Sequence, residues 1–127
     1  GSTAFADGFV TNVFAPETFE KNPQVVKEIH TIIRRTPEIS IAGTQLALAA
    51  RTDTTASLSS IKIPTLILVG EQDVLTPPSA SQAMHERITG SEMCIIPRAA
   101  HLSNLENPEF FNEKLISFLD RVTSFPS

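Results

Sequence analysis

The spacing of hydrophobic positions predicts a helical first part of the chain. Between residue 3 and about residue 60, apolar side chains recur at helical intervals. The clearest helix begins at Asn22, which can cap it, with Pro23 at the first helical position. Its apolar stripe consists of Val25, Val26, Ile29, Ile32 and Ile33. Thr36 and Pro37 end this helix and start another. The apolar face of that second helix consists of Ile39, Ala42, Leu46, Ala49 and Ala50.

From Ile61 onward the pattern changes to short apolar runs that alternate with helices. The runs "IPTLILVG" and "SEMCIIP" have the near-continuous apolar character of parallel strands that are covered on both faces. The helix between them is predicted to have Thr76 as its N-terminal cap and to stop at Gly90, and a last helix begins at Asn107. Strand, helix, strand and helix predict a short parallel sheet with a right-handed crossover, and therefore an α/β fold.

Composition and charge narrow the classes of partner. The chain has 127 residues, 41% apolar and 19% charged, as in one ordinary globular domain. Its net charge of −4 argues against nucleic acid and anionic membranes. All eight aromatic residues are phenylalanine, which also disfavours stacking on nucleic-acid bases. No apolar run approaches the roughly 20 residues of a membrane span. We therefore expect neither nucleic acid nor a membrane as partner.

The cysteine and histidine residues are too few and too scattered to suggest a metal site. Cys94 is the only cysteine and is predicted to be a buried, inert thiol, which is compatible with the cytoplasmic location that we expect. His30, His85 and His101 show no metal-ligand spacing, and no Gly-rich phosphate loop is present. His85 is expected to be solvated. The sequence predicts no metal and no cofactor.

Two residues suited to acid–base chemistry follow the ends of the predicted strands. Asp73 lies three residues past Gly70, and His101 lies a few residues past Pro97. Neighbouring parallel strands are about 4.8 Å apart, so loops at their carboxyl ends can bring a carboxylate and an imidazole together. In such a pair the carboxylate fixes the imidazole tautomer, and the other ring nitrogen takes a proton from a nucleophile. Alone, Asp73 could be a turn residue and His101 a surface histidine; their joint placement favours the catalytic interpretation.

The segments that carry these residues resemble the C-terminal part of α/β-hydrolase-fold enzymes. The matching motifs are "IPTLILVGEQDVLTPP" and "AAHLSNLENPEFF". In this family the chain order is Ser, Asp, His, so the resemblance implies that Asp73 is the triad acid and His101 the base. It is closest to 3-oxoadipate enol-lactonases and related carboxylic-ester hydrolases, which implies a small-molecule ester or lactone substrate. It also implies that residues 3–60 are a helical cap segment and residues 61–127 a β-α-β-α part of the core. We interpret Gly1 and Ser2 as a cloning remnant.

The serine that such a pair would serve is not found in the sequence. The family carries it in a G-x-S-x-G motif, whereas the five glycines here lie at positions 1, 8, 43, 70 and 90. Ser79, Ser81 and Ser103 are nearest to the two motifs, and we interpret Ser79 and Ser81 as capping and solvated residues of a helix. We expect the nucleophile to belong to a missing N-terminal half, and the isolated chain to be inactive.

Two other interpretations stay open. The chain could be a non-catalytic α/β interaction module derived from a hydrolase. It could also belong to a haloalkane dehalogenase or an epoxide hydrolase, which use an Asp nucleophile at the same position of the fold. The resemblance also implies that the strand that pairs with the run "TLILVG" on one side is missing here. This run would then present an unpaired apolar edge, which is a template for another chain. We therefore expect self-association, with Leu66 and Leu68 in or beside the contact.

Overall fold

A computed structural model describes residues 1–124 and shows helices followed by a strand–helix–strand–helix unit. The elements are α1 (Ser2–Val13), α2 (Pro16–Lys21), α3 (Pro23–Arg35), α4 (Glu38–Ala49), a 3₁₀-helix (Thr55–Ser60), β1 (Leu66–Gly70), α5 (Pro78–Arg87), β2 (Glu92–Ile96), α6 (Ser103–Glu106) and α7 (Pro108–Thr123). The predicted α/β arrangement is confirmed. The last residues of the predicted 61–127 part, 125–127, lie outside the described residues.

The helical part is organised around one apolar cluster between α1 and α3. Val10, Val13 and Phe14 are buried at its centre. Partly buried neighbours surround them: Phe9, Val25, Val26, Ile29, Ile33 and Leu102. The stripe predicted for α3 therefore does face a core, except that Ile32 is 60% exposed. Because Leu102 comes from the loop after β2, this cluster also joins the helical part to the sheet.

Helices α1 and α4 meet at their N-terminal ends, and the expectation for α4 needs correction. The backbone N–H of Ser2, the first residue of α1, donates to Glu38 Oε1 at 3.2 Å. The apolar face predicted for α4 is not buried within residues 1–124: Ile39 is 80% exposed and Leu46 is 71% exposed. Helical spacing identified the face correctly, but it carries no information on whether another element covers that face.

The sheet consists of β1 and β2, which pair in parallel with Leu66 opposite Glu92 and Gly70 opposite Ile96. On one face of β1 Ile67 and Val69 are buried, whereas Leu66 and Leu68 on the other face are half-buried. The prediction that β2 is covered on both faces is wrong, because Ile95 is 48% exposed and Cys94 is only half-buried. Each strand has one neighbouring strand among residues 1–124, so β2 is open along its outer edge.

The end of β1 lies against the backbone that leads to His101. A Cβ atom built on Gly70 would lie 2.0 Å from the carbonyl oxygen of Ala100 and 2.6 Å from that of Ala99. The amides of Glu71 and Gln72 donate to the carbonyls of Ile96 and Ala99, each at 2.9 Å. Only glycine fits here, because any side chain would separate the two loops.

Substitution of Gly70 by alanine is expected to lower the free energy of unfolding by at least about 1–3 kcal/mol, the usual cost of an extra methyl group in a filled space. The reason is that the added Cβ would meet backbone carbonyls, which cannot move aside as a flexible side chain can. Urea denaturation of both proteins measures the change.

Gly43→Ala is the matched control, because a Cβ there meets nothing within 4 Å. This substitution within α4 should stabilise the chain by about 0.5–1 kcal/mol. If Gly70→Ala were as well tolerated as Gly43→Ala, the close approach at the end of β1 would be refuted.

Candidate active site

Asp73 lies in the loop after β1 with its carboxylate held by the loop itself. The Asp73 side chain is 5% exposed. Its Oδ1 accepts the backbone N–H groups of Leu75 and Thr76, each at 2.9 Å, as in turns closed by an aspartate. Its Oδ2 accepts the Thr76 hydroxyl at 2.9 Å. Because the loop occupies Oδ1, the carboxylate cannot rotate freely, and Oδ2 stays directed at His101.

The hydrogen bonds keep Asp73 ionised in spite of its burial. Burial alone would raise the pKa of this carboxyl group. Donors from the Thr76 backbone, His101, the Thr76 hydroxyl and the Leu75 backbone together more than offset burial, so the pKa of Asp73 lies below its usual range. At neutral pH the loop therefore presents a negative charge to the imidazole.

His101 meets this charge through one ring nitrogen and exposes the rest of the ring. Its Nδ1 lies 2.9 Å from Asp73 Oδ2, and its side chain is 35% exposed. The contact expected from the two strand ends is thus present. A carboxylate only accepts hydrogen bonds, so the proton between these atoms is on Nδ1. Within residues 1–124 the hydrogen-bond contacts of this ring involve Nδ1, which leaves Nε2 available for another group.

Thr76 belongs to this site, which sequence reasoning missed. It was predicted to cap α5, but that helix begins at Pro78 with Pro77 in the cap position. Pro78 disfavours helical backbone at the residue before it, so Pro77 is extended with ψ at 160°, and the helix starts one residue later than a Thr76 cap requires. The hydroxyl instead donates to Asp73 Oδ2 and lies 3.3 Å from His101 Nδ1. The signal that could have identified this role is the position of Thr76, three residues after Asp73 and directly before Pro77 and Pro78.

An open cleft of about 760 Å³ borders the pair. Asp73, Thr76 and His101 line it together with β1 and the segment 51–55. Ser81 and Ser103 also line this cleft and are 6% and 7% exposed, so the interpretation of Ser81 as a solvated residue is wrong. Neither hydroxyl is hydrogen-bonded to the His101 ring.

The other histidines serve local contacts. His30 Nε2 lies 2.7 Å from Asp7 Oδ1. His85 is half-buried and its Nδ1 lies 2.8 Å from Ser91 Oγ, so it is not simply solvated as expected. Residues 1–124 contain no group of three or more His, Cys, Asp or Glu side chains placed to hold a metal ion. In the same part of the chain no helix combines the length and apolar character needed to cross a bilayer.

The helical part contacts the loops that carry the pair. The backbone N–H of His101 donates to the carbonyl of Val13 at 3.0 Å, at the end of α1. On the Asp73 side, the Gln72 side-chain amide lies 3.2 Å from both carboxylate oxygens of Glu17. These contacts join residues that are far apart in the sequence, so each loop is supported by both parts of the chain.

Comparisons with known proteins agree on one family. The family model described as serine aminopeptidase, S33 matches residues 2–108. The 3-oxoadipate enol-lactonase 2 of Acinetobacter baylyi is 30% identical over 121 residues, which are 95% of this chain and 45% of that protein. The pimeloyl-[acyl-carrier protein] methyl ester esterase of Neisseria meningitidis serogroup A is 32% identical over 97 residues, which are 72% of this chain and 31% of that protein.

A solved structure gives the same result. A thermophilic esterase from Thermogutta terrifontis superimposes with a TM-score of 0.91 at 32% identity, over 96% of this chain and 45% of that one. The chain therefore has the fold of the corresponding part of these proteins. It spans between 31% and 45% of the length of the relatives named here.

Substitution of Asp73 by asparagine is expected to lower the free energy of unfolding at neutral pH by about 1–3 kcal/mol, since donors around the carboxylate lose a charged acceptor. The pKa of Asp73 is lowered in the folded state, so the unfolded chain binds its proton more readily. The stabilisation is therefore complete above the unfolded pKa and is lost as the pH falls from roughly pH 4 through the lower folded value.

Denaturation of wild type and Asp73→Asn across this pH range tests the account, and the difference in unfolding free energy should shrink on acidification. Asp120→Asn, an exposed position on α7, is the control and should change stability by no more than about 0.5 kcal/mol. A difference between wild type and Asp73→Asn that is independent of pH would show that the ionised carboxylate contributes nothing.

Proposed function

The chain belongs to the α/β-hydrolase family that the serine aminopeptidase S33 model represents, and we propose that it supplies the acid and the base of a triad for ester or lactone hydrolysis. Asp73 is the acid and His101 the base. The observation that carries this proposal is the 2.9 Å contact between Nδ1 and a buried carboxylate, in a ring whose other nitrogen is available.

The names of the relatives support a small acyl compound as the substrate. They include an enol-lactonase, a methyl ester esterase and a thermophilic esterase. Lactones and esters share one reaction, in which a nucleophile attacks the acyl carbon and the bond to the alkoxy or enol oxygen breaks. The family name also supports a serine nucleophile over the aspartate of dehalogenases and epoxide hydrolases.

The geometry is suited to two proton transfers in each half of the reaction, one to Nε2 of His101 and one from it. With the Nδ1 proton held by Asp73, Nε2 of His101 accepts the proton of the nucleophilic hydroxyl as its oxygen bonds to the acyl carbon. The Asp73 charge stabilises the imidazolium that results. Nε2 then returns the proton to the departing oxygen. Water follows the same route in the second half, giving the free acid and restoring the hydroxyl.

We place the nucleophile in a part of the enzyme that corresponds to the portion of the relatives outside the matched region. The 127 residues contain no G-x-S-x-G sequence. The cleft beside His101 follows β1 from Ile67 to Gly70, so a strand lying there would extend the sheet and bring its own end loop near Nε2. In this proposal residues 3–60 are a cap segment, residues 61–127 are part of the hydrolase core, and the enzyme is cytoplasmic.

The isolated chain is expected to release no product from a p-nitrophenyl ester above the rate of buffer, because nucleophile and oxyanion donors supply much of the barrier reduction. A chimera tests whether this chain supports hydrolysis when the rest of the fold is present. In it, this chain replaces the 121 matched residues of the Acinetobacter enol-lactonase 2. The chimera should hydrolyse esters or lactones, and His101→Ala should lower its kcat/KM by about 10⁴-fold or more.

His30→Ala in the same chimera is the control and should leave the rate nearly unchanged. If the isolated chain hydrolysed esters and His101→Ala abolished this activity, the proposal that the nucleophile lies outside these 127 residues would be disproved. An active chimera that is indifferent to His101→Ala would disprove the assignment of the base.

We also propose that the chain by itself associates with further copies. Among residues 1–124, β1 pairs with β2 alone, and its other edge lines the cleft. The apolar side chains of Ile39 and Leu46 on α4 are largely exposed as well. Pairing across a two-fold axis would supply a neighbour to each open strand, because each copy offers the surface that the other lacks.

Sedimentation of the purified chain at micromolar concentration should therefore show a dimer or a higher oligomer. Leu68→Lys should shift the population toward monomer, since it puts a charge beside the open edge of β1, whereas Ile116→Lys on the exposed face of α7 should not. A compact monomer with cooperative unfolding would refute the edge argument.

A further inference from the structure

The carboxylate of Glu106 lies between the helical part and the loop that carries His101. Its Oε2 accepts the backbone N–H of Ala15 and the hydroxyl of Thr18, each at 2.7 Å. Its Oε1 accepts the backbone N–H of Ala100 at 2.8 Å. Ala15 is the residue that precedes α2, and Ala100 directly precedes His101. One side chain thus bridges two backbone segments that are more than eighty residues apart in the sequence.

The surroundings make these bonds strong constraints. Ala15, Thr18 and Ala100 are 1%, 5% and 2% exposed, so water cannot readily replace a lost acceptor. A second link runs beside them, because the N–H groups of His101 and Leu102 donate to the Val13 carbonyl at 3.0 and 3.3 Å. The His101 loop is therefore fixed to the turn between α1 and α2 on both of its sides.

We propose that Glu106 is a positioning residue for His101. Together with Ala15, Thr18 and Ala100 it forms a clamp, called here the Glu106 clamp, that keeps Nδ1 within reach of Asp73 Oδ2. The role in catalysis rests on the function proposed for His101, but the geometric claim stands on these contacts alone. A carboxylate is required because both oxygens must accept hydrogen bonds. A glutamine has only one acceptor oxygen, and its NH2 group would face the donors at the other position.

The Glu106 clamp couples the helical part to the base. A shift of α2 relative to the sheet would move Ala15 and Thr18, and the carboxylate would transmit that shift to Ala100 and so to the imidazole. Alignment of His101 with Asp73 therefore depends on the docked position of the helical segment, and a displaced segment would leave the base misaligned.

Glu106→Gln in the 127-residue chain tests the clamp by NMR, with the ring carbons of the three histidines labelled. Amide exchange at Ala15 and Ala100 should accelerate by roughly ten- to a hundredfold, the range for loss of a hydrogen bond to a charged group. The His101 ring signals should move toward the positions they take in Asp73→Asn. The signals of His30 and His85, held by Asp7 and Ser91, should stay in place.

Two control variants separate positioning from general destabilisation. Phe118→Leu enlarges a buried site on α7, beside the residues that precede the two strands, and should lower stability without moving the His101 signals. Glu109→Gln alters an exposed glutamate on α7 and should change neither readout. Thr18→Val removes one donor and retains the carboxylate, so it should move the His101 signals in the same direction by less.

Unchanged His101 signals in Glu106→Gln, with faster exchange at Ala15 and Ala100, would overturn the proposal and leave the clamp a purely structural feature. An equal shift of His101 in Phe118→Leu would overturn it too. If Glu106→Gln does not fold, Thr18→Val decides alone, and an unmoved His101 there overturns it. None of these readouts requires hydrolysis. A negative NMR result would therefore not affect the assignment of His101 as the base, and an inactive chimera would not affect the Glu106 clamp.

Discussion

The backbone of β1 approaches the carbonyl groups of Ala99 and Ala100 so closely that only glycine fits at position 70, and the site is built from this contact. Asp73 follows Gly70 by three residues, and His101 directly follows Ala100. Two backbone hydrogen bonds from Glu71 and Gln72 hold the same segments together. The separation of carboxylate and imidazole is thus largely determined by main-chain packing, which varies little with the nature of the surrounding side chains.

Side chains then stabilise the charge of Asp73 and the position of the His101 loop. Around the carboxylate, burial opposes the charge of Asp73, and the hydrogen-bond donors outweigh that cost, so the charge persists next to the imidazole. Thr76 contributes to this balance with both its amide and its hydroxyl. On the imidazole side, Glu106 and the Val13 carbonyl hold the His101 loop from the helical part. The helical segment is therefore part of the support of the site.

The features that sequence could predict are those with a local or periodic signal. The apolar runs predicted both strands. Asp73 and His101 follow the carboxyl ends of these strands, and their contact could be predicted because parallel strands place such ends at the same edge of a sheet. Thr76 was misassigned because the capping rule does not consider that Pro78 keeps Pro77 extended, which starts the helix one residue later than a Thr76 cap requires. Glu106 was not recognised at all, because its partner Ala15 lies 91 residues away and no periodicity encodes such a contact. The exposure of Ile95 and of α4 depends on which elements cover them, which hydrophobic spacing does not report.

The claim at the centre of this account is that Asp73 determines which nitrogen of His101 carries the proton. The ¹⁵N resonances of the imidazole, recorded in the wild-type chain at a pH where the ring is neutral, measure this directly. The account predicts a protonated Nδ1, held by Asp73, and an unprotonated Nε2 that is free to accept a proton from a nucleophile. A neutral ring protonated on Nε2 would contradict it, because neither the contact between Nδ1–H and the carboxylate nor the proposed role of His101 as base would then hold.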